Sequence, residues 1–377
     1  MKVLSLFDGM SCGQIALKEC GVRVDTYYAS EVDKFAIAQA MLNFPATIQL
    51  GDARNIDART LGHIDLLIGG SPCQSFSFAG KRAGMSTKQN EEIYTLKRYL
   101  ELKQAGFEFE GESYLFWEYM RVLEELRETN PDVLFLLENV EMGKKWEGVL
   151  TEAIGLRGVH INSSLVSAQN RRRIYWTNIK TRKEGLFGDV LTDIPQLEDR
   201  GILLRDILED DADVDEKYYL SDEVVQKLIE HKRRNAEAGN GFGAVFHTRG
   251  GKMSALKIGG KGVDDLVMRN NIKQLNSSSE SNNGQQPYQQ NRVYDINHKA
   301  LACCANLTGG AYAIADENAS EVRIRRLTPT ECSRLQTVPD WYKWECSKTQ
   351  QYKMLGNGWT IEVIKHIFSF LPEKYFK

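Results

Sequence analysis

Short apolar runs, separated by polar and glycine-bearing turns, set the rhythm of the first half of the chain. Val3 to Phe7, Thr26 to Ala29, Thr47 to Leu50, Ile64 to Ile68 and Val133 to Leu137 each read as a short strand. Runs of four or five residues bounded by turn signals are what buried strands of an open α/β sheet look like. Between them the spacing changes. Leu115, Phe116, Tyr119, Val122, Leu123 and Leu126 recur at helical intervals, so an amphipathic helix is predicted over 114–128, ended by Asn130-Pro131. The mixed acidic and basic stretch Glu91 to Glu110 also reads as helical, and a helix entered from Asp8-Gly9-Met10-Ser11-Cys12-Gly13 should end at Gly21.

From about Thr181 the periodicity fades. An acidic run from Glu209 to Glu216, a glycine-rich zone from Gly239 to Gly262 and an Asn/Ser/Gln-rich tract from Asn270 to Asn291 predict loops, the last of them flexible. Order returns at Thr328, a predicted N-cap, with Pro329 at the first helical position and Glu331 completing a capping box. Leu355 to Thr360 then opens an apolar helix through Ile361, Ile364, Ile367 and Phe368, which should pack back on the first domain.

The strand ends carry the candidate chemistry. Gly69-Gly70-Ser71-Pro72-Cys73-Gln74 puts a thiol just past a strand's carboxyl end, the edge where open α/β sheets bind ligands. Two glycines allow a sharp turn and Pro72 stiffens it. A lone cysteine is more often inert packing. Here it has company: Glu138-Asn139-Val140 ends a later strand, and Gln169-Asn170-Arg171-Arg172-Arg173 follows. Three earlier strands end in candidate cofactor contacts, Phe7, Glu31 and Asp52. Glu31 stands 18 residues after Gly13, where nucleoside sites place a ribose-binding carboxylate, although an acidic residue behind a Ser30 cap would also suit a helix start. Only Gly9 and Gly13 remain of a dinucleotide fingerprint, which weakens a nicotinamide reading. The polar stretch Ser75 to Asn90 has the composition of a loop that could close over a substrate.

Bulk properties narrow the class. The 377 residues are 42% hydrophobic and can bury a large core, and a net charge of -3 means that any nucleic-acid contact must come from local cations such as Lys81-Arg82, Arg171 to Arg173, His231 to Arg234 or Arg323 to Arg326. Seven cysteines, none in a C-x-x-C pair, suggest a reducing compartment and no zinc site. The N-terminus enters a strand with no leader pattern, and no apolar run reaches membrane length. A cytoplasmic protein is expected.

Taken in order, Phe7-Asp8-Gly9, Glu31, Gly51-Asp52, Pro72-Cys73-Gln74, Glu138-Asn139-Val140, Gln169 to Arg173, Arg325 to Pro329 and Gly356-Asn357 make the chain resemble the DNA cytosine-5 methyltransferases over nearly its whole length. The opening Leu4 to Gly9, with Ala29 to Val32, looks like the animal de novo branch; the bare N-terminus and single-domain length look bacterial or phage. The resemblance implies an α/β, Rossmann-like S-adenosylmethionine-dependent sheet with a smaller, irregular target-recognition domain. Residues 1–182 would form the first part of the catalytic domain, 183–321 the target-recognition domain and 322–377 the returning segment.

It also implies roles. Cys73 would add to cytosine C6, Glu138 would donate to N3, and Arg171 and Arg173, at alternate positions, would face one way and hold the base O2, the carboxylate or a phosphate. Phe7, Asp8, Gly9, Glu31, Val32, Asp52, Ala53, Pro72, Asn357 and Trp359 would line the S-adenosylmethionine pocket, and Gln74, Ser77 and Lys81 would meet the substrate, a cytosine flipped out of double-stranded DNA. A monomer without a metal is expected, in a restriction-modification or phage setting. Alternatives are an RNA or tRNA cytosine-5 methyltransferase and a non-catalytic DNA-binding relative. The chain departs from the family pattern at Ser11-Cys12, at Ala302-Cys303 and in an insertion from Thr87 to Glu110.

Overall fold

Val3, Leu4 and Leu6 are closed to solvent in the computed structural model, and so are Leu66, Leu67, Ile68, Leu136 and Leu137. Their apolarity is explained by one sheet. The structure describes residues 1–72, 92–109, 111–185, 188–210, 212–221, 223 and 325–376, with the backbone of 245–246, 292–293 and 300–301. Its strands are β1 (Lys2–Leu6), β2 (Thr26–Ser30), β3 (Ile48–Gln49), β4 (Leu66–Gly70), β5 (Leu134–Val140), β6 (Val159–Asn162), the short β7 (Gln169–Asn170) and β8 (Arg172–Thr177). Seven of them form a sheet in the order β3-β2-β1-β4-β5-β8-β6, while β7 pairs separately with residues 300–301. Neighbours from β3 through β5 run parallel and β8 is antiparallel to β5. The chain winds outward from β1 on one side and from β4 on the other, so the crevice between their carboxyl ends is the sheet's switch point.

The chain divides into two compact units. The first comprises residues 1–161, 172–197 and 361–377, the second 162–171 and 198–360. In the first, α4 (Leu115–Thr129) buries Phe116, Tyr119, Val122, Leu123 and Leu126, the face that the spacing predicted. Helix α3 is shorter than the charge pattern suggested, Leu96–Gln104, because Thr95 caps its start and Gly106, at φ +72°, ends the turn that follows. Buried Glu118 on α4 ties the two helices together, accepting from Tyr99 Oη at 2.6 Å and Arg121 Nε at 2.7 Å and pairing with Lys103. α1 spans Cys12–Glu19 and α2 Lys34–Asn43; Asp33 caps α2, while Ser30 Oγ instead donates to the Gly51 carbonyl.

The apolar C-terminal stretch does pack on the first unit. Its helix is Ile361–Phe368, seated on α1, and Arg23 N donates to the Tyr375 carbonyl at 2.8 Å. Leu355 belongs to a separate helix, Lys348–Asn357, because Gly358 and the two residues after it interrupt the apolar pattern. In the second unit the capping box forms as the sequence predicted: Thr328 Oγ1 accepts from Glu331 N, and the Glu331 carboxylate accepts from Thr328 N at 2.8 Å. Glu331 also holds Arg325 through two bonds of 2.8 and 2.9 Å, so both buried charges are paired.

Two glycines mark close approaches in the first unit. A Cβ at Gly69 would lie 3.0 Å from Tyr119 Cδ2 and 3.1 Å from the Leu6 carbonyl, just where β4 delivers the turn toward Pro72. At Gly158 it would lie 2.8 Å from Ile174 Cγ2 and 3.0 Å from the Trp176 ring, both fully buried on β8. Gly158→Ala should therefore destabilise the protein by about 1–3 kcal/mol, an overpacking penalty larger than the ~0.4–1 kcal/mol gained by restricting the unfolded chain. A lower denaturant midpoint is the expected result; an unchanged one would mean that β8 gives way freely. Among the described residues no helix is long and apolar enough to cross a membrane.

Candidate active site

β4 and β5 run side by side, in a register that places Gly70 opposite Glu138. Ser71 and Pro72 continue from Gly70, and Asn139 grips that exit: its Nδ2 donates to Ser71 Oγ at 2.9 Å and to the Ser71 carbonyl at 3.3 Å. Asn139 Oδ1 accepts from Val140 N at 2.8 Å, which fixes the amide's orientation. Glu138, 8% exposed, pairs through Oε1 with Arg173 Nε at 2.8 Å, reached from the neighbouring antiparallel strand β8. A carboxyl group and a guanidinium thus sit at the carboxyl end of the sheet, beside the strand that leads to Cys73. Cys73, Gln74, Ser77 and Lys81 themselves lie outside the described residues.

The ends of β1 and β2 meet at Glu31. Its Oε2 accepts from Gly9 N at 2.8 Å, and its Oε1 accepts from Val32 N at 2.8 Å and Asp33 N at 2.9 Å. Three amides from two loops therefore hold one carboxylate. Phe7 and Ser11 adopt left-handed conformations, φ 58° and 66°, either side of Gly9 at φ 56°. Strain at non-glycine positions persists where the surroundings over-determine it, and it clusters at ligand sites. Val32 is 70% exposed, an apolar side chain left open next to that carboxylate. Asp52 caps the short turn Ala53–Asn55 and forms a fork with Arg54, whose hydrogen bonds hold the carboxyl group below its usual range. Ala53 is buried in the core beneath it.

Asp8 is buried, accepting from Ser11 Oγ at 2.7 Å and Tyr27 Oη at 2.8 Å. Burial pushes its carboxyl group up to about 6, against the pull of the Ser5, Ser11 and Tyr27 hydroxyls and with added repulsion from Glu31. An acid whose folded value is raised binds its proton more tightly in the native state, so its ionisation costs stability as pH rises from about 4 to 6, and the cost is fully present above 6. The two-unit difference corresponds to about 3 kcal/mol. Acidification from pH 7 to pH 4 should accordingly stabilise wild type relative to Asp8→Asn by up to that amount in chemical denaturation. A difference independent of pH would show that Asp8 is not the group responsible.

The remaining candidates belong to the second unit. Arg171 is 3% exposed, and its Nη2 donates to the carbonyls of Gly358 at 2.8 Å and Gly356 at 3.3 Å. Those two carbonyls flank Asn357, which ends its helix exposed, and Trp359 follows, buried. Arg171 and Arg173 thus engage different groups, Arg171 the Asn357 turn and Arg173 the Glu138 carboxylate. Arg172, between them, is exposed.

A polar network that the sequence did not announce supports the same turn. Gln336 Nε2 donates to the Leu355 carbonyl at 2.6 Å, Gln169 Nε2 donates to Gln336 Oε1 at 2.9 Å, and Thr360 Oγ1 links Gln336 to Ser163. Gln169 stood out by its place before the arginines. Gln336, Thr360 and Ser163 carried no pattern, because a single buried polar residue reveals itself only through its partners. Among the described residues no cluster of His, Cys, Asp and Glu could hold a metal.

The family model for C-5 cytosine-specific DNA methylase matches residues 1–148 and 161–372. The chain is 28% identical to an orphan methyltransferase, M.SPRI, of Bacillus phage SPR, over 100% of this chain and 98% of that protein. It is 26% identical to the type II methyltransferase M.HpaII of Haemophilus parainfluenzae, over 98% and 89%. In fold it is similar to the Dnmt2 methyltransferase of S. pombe, with a TM-score of 0.61, 15% identity and 99% of each chain covered. A prophage-encoded putative DNA modification methyltransferase from E. coli gives a TM-score of 0.54 at 16% identity, covering 98% of each chain. With 360 of its 377 residues inside one family model, and with an acid–guanidinium pair at the carboxyl end of β5, the chain belongs to the C-5 cytosine-specific DNA methylase family and is a DNA (cytosine-5-)-methyltransferase.

Proposed function

We propose that the chain methylates C5 of a cytosine flipped out of a specific double-stranded DNA sequence, through a covalent bond between Cys73 Sγ and cytosine C6. The observation that carries this reading is the Glu138–Arg173 pair at 2.8 Å, on the strand beside the one leading to Cys73. Cytosine C5 is a weak nucleophile. Addition of a thiolate at C6 pushes the double-bond electrons to C5, and the charge that reaches the ring needs a proton or a hydrogen bond at N3. Glu138 is assigned that task, and Arg173, bonded to its carboxylate, holds it in orientation. Asn139 fixes Ser71 and hence the start of the segment that carries Cys73. After C5 has taken its methyl group, loss of the C5 proton expels the Cys73 thiolate and restores the ring.

S-adenosylmethionine fits the β1–β2 edge and supplies, when bound, a methyl group on a sulfonium that departs as a neutral thioether. Beyond its three amide contacts Glu31 retains one acceptor site, on Oε2, for a ribose hydroxyl, Val32 and Phe7 offer apolar surface to adenine, and Asp52 and Ala53 close that end. Asp8 and Gly9 shape the loop, while Pro72, Asn357 and Trp359 are assigned to the methionine side. Gln74, Ser77 and Lys81 are assigned to the DNA, the segment 183–321 to target recognition and 322–377 to the returning part of the catalytic domain. The bacterial and phage sources of its relatives support the reading of a bacterial cytoplasm as its setting, and the chain is proposed to act as a monomer.

The test is expression in a host that lacks cytosine methylation, followed by mapping of 5-methylcytosine across its DNA. Modification at one short recurring motif is expected. Methylated tRNA with unmodified DNA would transfer the reading to RNA.

A further inference from the structure

Charged side chains from α3 and α4 converge on the backbone of one turn in the first unit, residues 52–58, between β3 and β4. Arg121 spans it: Nη2 donates to the Ala53 carbonyl at 2.9 Å and Nη1 to the Ile56 carbonyl at 2.8 Å. Lys103 Nζ donates to the Arg54 carbonyl at 3.2 Å, and Glu125 Oε2 accepts from Ala58 N at 2.9 Å. Four backbone groups of a short segment are therefore held by three side chains from elsewhere.

Glu118, fully buried on α4, organises the two cations. It accepts from Arg121 Nε at 2.7 Å and pairs with Lys103, and Arg121 Nη1 also meets Glu125 Oε1 at 2.6 Å. Tyr99 on α3 donates its hydroxyl to the same Glu118 at 2.6 Å, and its ring packs with Phe109 and Tyr114. Each cation is thus fixed by a carboxylate and gives further donors to the carbonyls of 53, 54 and 56. Helix α3, the carrier of Lys103, lies in the stretch Thr87 to Glu110 where the sequence departs from its family's pattern.

Replacing a buried ion pair by well-packed apolar side chains is often neutral or stabilising, so stability alone is a weak reason for such a network. Apolar side chains could not bond three carbonyls. The cations do, and they fix where the turn lies. Asp52 and Ala53, at its start, are the residues assigned above to the adenine end of the cofactor.

We propose that Arg121 and Lys103 are positioning residues for S-adenosylmethionine, which set the place of the Asp52–Ile56 turn as the wall for the adenine end; this rests on the reading of that edge as the cofactor site. They act through the backbone of the turn and not by touching the ligand.

S-adenosylhomocysteine, the demethylated form of the cofactor, is the probe, titrated by calorimetry into wild type and variants. Lys103→Met and Arg121→Lys should each weaken its binding about 5–30-fold, the effect of losing one or two hydrogen bonds. KM for S-adenosylmethionine should rise in parallel, while methyl transfer to unmethylated genomic DNA at saturating cofactor stays within about twofold of wild type. Lys103→Arg keeps a donor for the Arg54 carbonyl and should recover most of the affinity. Arg59→Gln is the control: Arg59 pairs with Glu125 and Glu128, and its loss should leave cofactor binding unchanged. Lys103 is 35% exposed, so its variants carry the test if Arg121→Lys fails to fold. Unchanged binding in folded Lys103→Met overturns the proposal. So does equal weakening by Arg59→Gln, which would reduce the effect to stability, and so does a fall in the saturated rate with the cofactor constants unmoved. Failure of wild type itself to bind S-adenosylhomocysteine would instead overturn the functional reading beneath it.

Discussion

Cys73→Ala is expected to abolish methyl transfer, by at least about 10⁴-fold, while leaving the binding of cofactor and DNA within a few-fold of wild type. The size of the effect follows from the chemistry. Without a nucleophile at C6 the C5 carbon never acquires the electron pair it needs, and a hydrogen bond or a nearby charge does not replace a covalent bond there. Removal of a nucleophile commonly costs as much as removal of the whole catalytic set, because the parts act as a unit. A second readout separates this from mere misfolding. Duplex containing 5-fluorocytosine at the target should form a denaturant-resistant adduct with wild type, since fluorine at C5 blocks the proton loss that would expel the thiolate. The Ala variant should form none. An adduct that survives Cys73→Ala would assign the nucleophile elsewhere, with the remaining cysteines the first to be tested.

How far these roles were legible depended on whether the signal was local. Leu134 to Leu137 could be read as a strand because a strand buried on both faces requires apolar side chains at consecutive positions, whatever its neighbours. The Thr328–Glu331 capping box was legible because both partners lie within one turn. Alternate spacing places Arg171 and Arg173 on one face only if the strand that carries them is continuous. In the structure β7 ends at Asn170 and β8 begins at Arg172, and the two strands pair with different partners. The two-residue period does not survive that break. Arg171 N donates to Asn162 Oδ1 at 3.0 Å, and its side chain serves the Gly356 and Gly358 carbonyls. The Asn139–Ser71 grip joins residues 68 positions apart, a separation no local pattern encodes. The Asn270 to Asn291 tract, read as a loop, and the candidate substrate contacts after Cys73 lie outside the described residues.

Glu138→Gln should lower the rate of methyl transfer by about 10²–10⁴-fold, the range in which a positioned acid contributes, with little loss of stability. Glutamine keeps the shape of the side chain and an oxygen for Arg173 Nε, which the acid meets at 2.8 Å, so the guanidinium is not stranded. What it loses is the ability to deliver a proton to N3 or to carry a full charge beside Arg173. Glu138→Ala would remove both functions and leave Arg173, 15% exposed, without this partner, so its loss of activity would be mixed with a loss of stability. The glutamine variant is therefore the diagnostic one. Adduct formation with 5-fluorocytosine duplex should slow in parallel with turnover, because N3 must be neutralised as the thiolate adds rather than afterwards. If the adduct forms at the wild-type rate while turnover falls, Glu138 acts after addition, and the proton on N3 comes from another group. If both rates stay within threefold of wild type, the Glu138–Arg173 pair is a structural strut between β5 and β8, and the assignment of the acid fails.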